Sequence, residues 1–148
     1  MQDSITITLI SSDNQPFTLS AKAASRSRLI KDMTTDYEEQ PDFPMENINS
    51  STLSKIVEYL KHYQNTEPKE IPKPLKNSQI ETILDPWDLN YINSISKEEA
   101  FNIINATNYM DISSLNQLCA CKIAAELLMK DEQENENAQE KNKVNEDY

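Results

Sequence analysis

The 148-residue sequence contains no glycine, and this absence excludes several classes of protein. Phosphate-binding loops and dinucleotide-binding fingerprints require glycine, because only glycine lets the backbone approach a phosphate group closely. The single histidine, His62, and the two cysteines, Cys119 and Cys121, do not form a zinc-binding signature. We therefore expect no cofactor, no metal and no small-molecule substrate.

Positive charge is also scarce, since 14 Lys and Arg residues face 25 Asp and Glu residues and the formal net charge is -11. Nucleic acids and anionic membranes bind positive surfaces, so neither is an expected partner. No apolar run could span a bilayer, and the first residues, MQDSITITL, lack the layout of a signal peptide. Cys119 and Cys121 lie two apart and are expected to be reduced thiols that fill apolar space. These features predict a cytoplasmic and/or nuclear protein.

The N-terminal part has the pattern of a β-hairpin. The alternating segment ITITLI (5–10) and the segment FTL (17–19) flank the turn-forming residues SSDNQP (11–16). Asp13 and Asn14 tolerate the positive φ that such a turn often needs, in place of glycine. The elements predicted next are a helix capped by Ser20, a second short helix at Arg28–Thr34 and a loop over 35–44.

The middle of the chain carries one clear helix, which begins at Asn49 or Ser50. Its apolar residues follow i, i+3, i+4 and i+7, which is typical of one buried stripe; they are Leu53, Ile56, Val57 and Leu60. His62 lies near the helix end, where the helix dipole favours it, and we prefer this interpretation to a catalytic base. The proline-containing residues 64–86 are interpreted as a linker or a surface excursion.

Two helices follow near the C-terminus. Ser96 and Glu99 form a capping box for a helix at Lys97–Met110, with an apolar face of Ala100, Phe101 and Ile104. Asp111 interrupts the pattern, and a second helix is predicted from about Ser113 to Met129. That helix has two apolar faces. The first consists of Leu115, Leu118, Cys119, Ile123 and Leu127, and the second of Ala120, Ala124 and Leu128.

A helix that is apolar on two sides either lies at the centre of a core or is shared with a partner. After it, residues 130–148 are polar and rich in Asn and Glu. Their composition predicts either disorder or a solvated helical extension.

Four segments resemble the Skp1/elongin C family, small adaptors of cullin-RING ubiquitin ligases with a BTB/POZ fold. They are ITLISSDNQPF (7–17), FPMENINSSTLSKIVEYLKHY (43–63), PWDLNYI (86–92) and NATNYMDISSL (105–115). The resemblance divides the chain into a BTB/POZ-like domain (1–110), a C-terminal partner-binding helix (111–129) and an acidic polar tail (130–148). Nothing after Leu128 resembles the segment with which Skp1 proteins clasp an F-box.

The resemblance implies an α/β (α+β) BTB/POZ fold, a small three-stranded sheet flanked by helices with a C-terminal helical extension. It implies an adaptor without catalysis that links a cullin to an F-box-type receptor in an SCF-type E3 ubiquitin ligase. The residues implied to face the cullin are Asn108, Tyr109, Pro44 and Ile48. Those implied to face the F-box are Leu115, Leu118, Ile123 and Leu127. The alternative is a divergent structural adaptor that holds an F-box-like or amphipathic helix in a larger assembly without ubiquitination.

Overall fold

The computed structural model describes residues 6–34, 42–68, 71 and 80–146. Within these ranges, three strands and six helices follow one another along the chain. In order they are β1 (Thr6–Ile10), β2 (Pro16–Ser20), α1 (Ala21–Ala24), α2 (Arg28–Thr34), β3 (Asp42–Pro44), α3 (Ser50–His62), α4 (Pro86–Asn93), α5 (Lys97–Met110) and α6 (Ser113–Glu146), with a 3-10 turn at Ile80–Thr82 before α4. The predicted architecture, a three-stranded sheet flanked by helices, is confirmed.

The sheet has the order β2-β1-β3. β1 and β2 form the predicted antiparallel hairpin, in which Leu9 is opposite Phe17. Asn14 in the connecting turn has a φ of 65°, as expected for a glycine-free turn. β3 runs parallel to β1, with Phe43 opposite Leu9. The predicted loop over 35–44 is therefore wrong at its last three residues, and its first seven lie outside the described residues.

A single core lies between the sheet and the helices α3, α5 and α6. The stripe predicted on α3 is confirmed, because all four of its apolar residues are buried. Asn49 caps this helix, since its side chain accepts a hydrogen bond from the backbone N–H of Thr52 at 2.9 Å. Other fully buried side chains include Ile7, Leu9, Ile30, Met45, Ile92, Ile103, Met110 and Ile112. Burial of each large aliphatic side chain contributes about 1.5–3 kcal/mol, so this core is the main source of stability.

α5 begins as predicted but turns a different face to the core. The Ser96 hydroxyl accepts a hydrogen bond from the Glu99 backbone N–H at 3.1 Å. The buried residues of this helix are Ala100, Ile103, Ala106, Thr107 and Met110. The prediction for Phe101 is wrong, because 47% of this residue is exposed. Ile103 takes the core position, since it continues the three- and four-residue spacing that leads from Ala100 to Met110.

The junction of α5 and α6 is fixed by hydrogen bonds from the residues at and just before the start of α2. Asp111 ends α5 in a left-handed conformation with φ 55°, which agrees with the predicted interruption. The buried Ser27 hydroxyl donates to the Met110 carbonyl at 2.6 Å, and the Arg28 N–H donates to the Asp111 carbonyl at 3.1 Å. These two bonds set the point at which α6 leaves α5.

α6 is one continuous helix of 34 residues, and its axis is therefore about 51 Å long. It continues beyond Met129, the predicted end, to Glu146. Of the two alternatives for residues 130–148, the structure has the helical one as far as Glu146. Among the described residues, no helix has the length and apolar character needed to cross a membrane.

Candidate protein-interaction surfaces

A groove of about 270 Å³ separates the start of α3 from α5. We call it the amide groove, because four of its eight lining side chains are carboxamides. The lining residues are Asn47, Ile48, Asn49, Thr52, Asn102, Asn105, Ala106 and Tyr109. None of them is charged, although the chain as a whole is strongly acidic. Such a surface can donate and accept hydrogen bonds without favouring a partner of either charge.

The two walls of the amide groove are held by different parts of the chain. On the α3 side, the Ile48 N–H donates to the Met45 carbonyl at 3.1 Å, and the Ile48 carbonyl accepts from the Ser12 N–H at 2.8 Å. On the α5 side, Ala106 is buried while Tyr109 is 52% exposed at the last turn of the helix. The Tyr109 ring therefore stands out from the core beside the groove.

The structure brings together two of the four residues that the resemblance placed on a cullin-facing surface. Ile48 and Tyr109 both line the amide groove. Ile48 is only 3% exposed, so it forms part of the groove floor and not of its rim. Pro44 is exposed at the end of β3 and is not among the lining residues. The cullin-facing role of all four residues stays a prediction.

Asn108, the remaining residue of that set, is exposed and is oriented by α6. Its side-chain oxygen accepts a hydrogen bond from the Asn116 amide at 2.9 Å. The same amide nitrogen also donates to the Ile104 carbonyl at 3.2 Å and to the Thr107 hydroxyl at 3.1 Å. Asn116 therefore ties the carboxamide of Asn108 to the core of the domain. Nothing in the sequence pattern marked Asn116 for this role, because the contact crosses between two helices.

The predicted F-box-facing set divides into a buried part and an exposed part. Leu115 is fully buried and Leu118 is 1% exposed, so both belong to the core of this chain. Their expected exposure to a partner is corrected here, because α5 packs on the first turns of α6. Ile123 is half-buried and packs against the core, whereas Leu127 is 52% exposed.

An apolar segment of α6 begins at the edge of the core and continues beyond it. It consists of Ile123, Ala124, Leu127, Leu128 and Met129, of which Leu127 and Met129 are more than half exposed. The sequence pattern identified most of this segment through the two apolar faces of the helix. It did not indicate Met129, which was interpreted only as the end of the helix. The pairs Ile123 and Leu127, and Ala124 and Leu128, are four residues apart and share one side of the helix, which a partner helix could cover, whereas Met129 points to a different side.

An aromatic cluster joins α4 to the end of α3. The His62 ring stacks on the Trp87 indole, with centroids 3.7 Å apart and planes 3° from parallel. The Tyr63 hydroxyl donates to the buried carboxylate of Asp88, and burial raises the pKa of Asp88 above its ordinary value. The Tyr91 hydroxyl donates to a backbone carbonyl of α3 at 2.7 Å. These contacts give His62 a packing role at the helix end and leave Trp87 half-buried.

Both cysteines are free thiols in the core, at 0% and 4% exposure for Cys119 and Cys121. Burial raises the pKa of the Cys119 thiol to about 12 and also raises that of Cys121. The thiol form is the unreactive one, so these side chains act as small apolar residues. Within the described part of the chain, no group of three or more His, Cys, Asp or Glu residues could hold a metal ion.

Residues 5–65 match the family described as "Skp1 family, tetramerisation domain". An S-phase kinase-associated protein 1 homolog from Tetrahymena thermophila is 37% identical over 118 residues, which are 80% of this chain and 71% of the relative. Suppressor of kinetochore protein 1 from Schizosaccharomyces pombe is 37% identical over 128 residues, covering 82% of this chain and 76% of the relative. The E3 ubiquitin ligase complex SCF subunit sconC from Arthroderma otae is 34% identical over 123 residues, covering 82% and 73%.

Proposed function

This chain belongs to the Skp1 family, and we propose that it is an adaptor subunit of an SCF-type E3 ubiquitin ligase. In this role it links a cullin scaffold to an F-box-type substrate receptor and performs no chemistry itself. Similarity to a relative named as an SCF ligase subunit supports the proposal. We propose further that it acts in the cytoplasm, the nucleus or both.

The exposed Tyr109 beside the amide groove is the observation that carries the cullin side of the proposal. Tyr109 is 52% exposed although it is a large aromatic residue, and Asn108 stands next to it with its oxygen fixed by Asn116. Tyrosine is enriched at protein interfaces because it combines apolar area with a polar tip. We propose that Asn108, Tyr109 and Pro44 contact the cullin directly, while Ile48 shapes the groove floor.

The apolar segment of α6 supports the second half of the proposal. Leu127 and Met129 expose large apolar side chains that a lone subunit would leave in water. An F-box-type helix that covers Ile123 and Leu127 would remove the exposed area of Leu127 from solvent, which favours association. Leu115 and Leu118 then act from beneath, by fixing the base of α6 on the domain.

The proposal is tested by measuring the affinity of purified protein for the N-terminal domain of a cullin from the same organism. The variant Asn108→Lys/Tyr109→Lys places two positive charges at the proposed contact and removes an aromatic anchor. It should weaken cullin binding by more than about tenfold, because anchor residues at the centre of an interface contribute at least this much. The apolar segment is untouched, so binding of an F-box peptide should be unchanged.

A matched control is Asn90→Lys/Asn93→Lys, which adds the same charge at two exposed positions of α4. This control should bind the cullin like the wild type. A wild-type protein that binds no cullin would overturn the ligase role. A groove variant that binds the cullin as tightly as the control would overturn the contact proposed for Asn108 and Tyr109.

The alternative function, a structural adaptor without ubiquitination, is supported by the course of α6. This helix continues without interruption to Glu146, through the region in which the resemblance would place two further F-box-clasping helices. An assembly built on a single long helix would need no cullin. Purification of the tagged protein from its own cells separates the two functions, since a recovered helical partner without any cullin supports the alternative.

A further inference from the structure

The hairpin turn between β1 and β2 is hydrogen-bonded to the start of α3, 37 residues further along the chain. One oxygen of the Asp13 carboxylate accepts from the Ser50 N–H at 2.8 Å, and the other accepts from the Ser50 hydroxyl at 2.6 Å. The Ser11 hydroxyl also donates to Asp13, at 2.7 Å. A fourth bond joins Ser12 N–H to the Ile48 carbonyl at 2.8 Å. The turn therefore contacts the segment 48–50 through both side chain and backbone.

These hydrogen bonds favour the ionised form of Asp13. The hydroxyls of Ser50 and Ser11 lower the pKa of this carboxyl from 3.8 to about 2. At neutral pH the side chain is therefore an anion at the N-terminus of α3, where the helix dipole also favours negative charge. Ser50 is the first residue of α3, so Asp13 fixes the helix start in addition to the cap that Asn49 supplies.

The residues on either side of Ser50 form one wall of the amide groove. Ile48, Asn49 and Thr52 line the groove, whereas Ser50 itself faces Asp13. The opposite wall belongs to α5, whose buried face is held in the core. The distance between the walls therefore depends on the hydrogen bonds that hold segment 48–50.

We infer that Asp13 is a positioning residue for the cullin-binding groove, which it shapes through Ser50 without touching the partner. The inference rests on the proposed function. Replacement of Asp13 lets the α3 wall shift while α5, Tyr109 and the apolar segment of α6 stay in place. Binding of a cullin should then weaken, and binding of an F-box peptide should not.

The test compares the dissociation constants of Asp13→Ala and wild type for the cullin domain and for an F-box peptide. Substitutions that act through a packed loop change affinity by about two- to thirtyfold, and a cullin effect in this range is expected. Asp85→Ala is the matched control, because Asp85 is also an exposed aspartate beside the start of a helix, but its side chain makes no capping hydrogen bond. It should leave both affinities unchanged.

Two further variants show whether the effect passes through Ser50. Asp13→Asn keeps one acceptor for the Ser50 N–H and should restore part of the cullin affinity. In a double-mutant cycle, Ser50→Ala should cost little more affinity once Asp13 is alanine, since the shared contact is already lost. In the free Asp13→Ala variant, amide hydrogen exchange should be faster than in the wild type at residues 48–52 and unchanged at the end of α5.

The outcomes separate this inference from the proposed function. A wild-type protein that does not bind the cullin overturns the function and this inference with it. A wild type that binds, together with Asp13→Ala of equal affinity, overturns the positioning role alone. Equal losses toward the cullin and the F-box peptide also overturn it, because they indicate general destabilisation. If Asp13→Ala does not fold, the same comparison is decided with Asp13→Asn.

Discussion

Leu118 and Leu127 lie nine residues apart on α6 but differ sharply in burial, so one substitution made at both sites gives a direct test. Leu118 is 1% exposed and Leu127 is 52% exposed. Replacement of a fully buried leucine by alanine costs about 2–5 kcal/mol, from lost apolar burial and the remaining cavity. Leu127→Ala removes a side chain that is only half-buried, so about 1 kcal/mol or less is expected. Since a domain of this size is stable by about 5–15 kcal/mol, the difference is easily resolved.

The assay is urea unfolding followed by circular dichroism, with both variants and the wild type at the same protein concentration. Leu118→Ala should shift the midpoint strongly to lower urea, whereas Leu127→Ala should stay close to wild type but bind an F-box peptide more weakly. Leu118→Asp should not fold, because a carboxylate would be buried without a partner. Equal shifts for the two alanine variants would refute the assignment of Leu118 to the core. A Leu118→Ala protein with the stability of the wild type but without F-box peptide binding would refute the same assignment.

Three further outcomes follow from features of the core, the hairpin turn and the end of α6. Cys119 and Cys121 should react slowly with a thiol reagent in the native protein and rapidly in denaturant, since both are buried and the pKa of Cys119 is about 12; fast native labelling would contradict this. The stabilising effect of Asp13 over Asp13→Asn should be complete above about pH 4 and be lost as the pH falls from 3.8 to about 2, because the folded pKa lies below the unfolded one. A stability difference between wild type and Asp13→Asn that does not change with pH would show that the Ser50 contact does not cause it. Truncation after Lys130 should lower the helical signal in circular dichroism but leave the melting temperature within about 2 °C, because this segment has few apolar residues; a large fall would show that it packs on the domain.

Features that depend on neighbouring residues were predictable from the sequence. The caps at Asn49 and Ser96 and the left-handed break at Asp111 all arise within one helical turn. Local hydrogen bonds and local backbone preference decide them, so the residue types are sufficient. The hairpin turn at Asn14 belongs to the same class.

Features that depend on distant residues were not predictable in this way. β3 is only three residues long and pairs with β1, so its pattern is too short to distinguish a strand from a loop. Phe101 and Ile103 are both apolar, and only the packing direction of α5 decides that Ile103 is buried. The stripe on α6 likewise has one period from Leu115 to Leu127, although the core ends partway along it. Periodicity identifies a face of a helix but does not show how far a neighbouring helix covers it.

The absence of glycine has a consequence for the unfolded chain. A chain without glycine samples fewer backbone conformations when it is denatured, so each residue loses less entropy on folding than glycine would. Exchange of one glycine for alanine at a compatible site contributes about 0.4–1 kcal/mol by this route. At Asn14 and Asp111 the native backbone lies where glycine would be relaxed, with φ of 65° and 55°. The lack of glycine thus restricts the backbone of the denatured chain along its whole length. Among the described residues, the cost is conformational strain at Asn14 and Asp111, which both lie in turns between elements of the core.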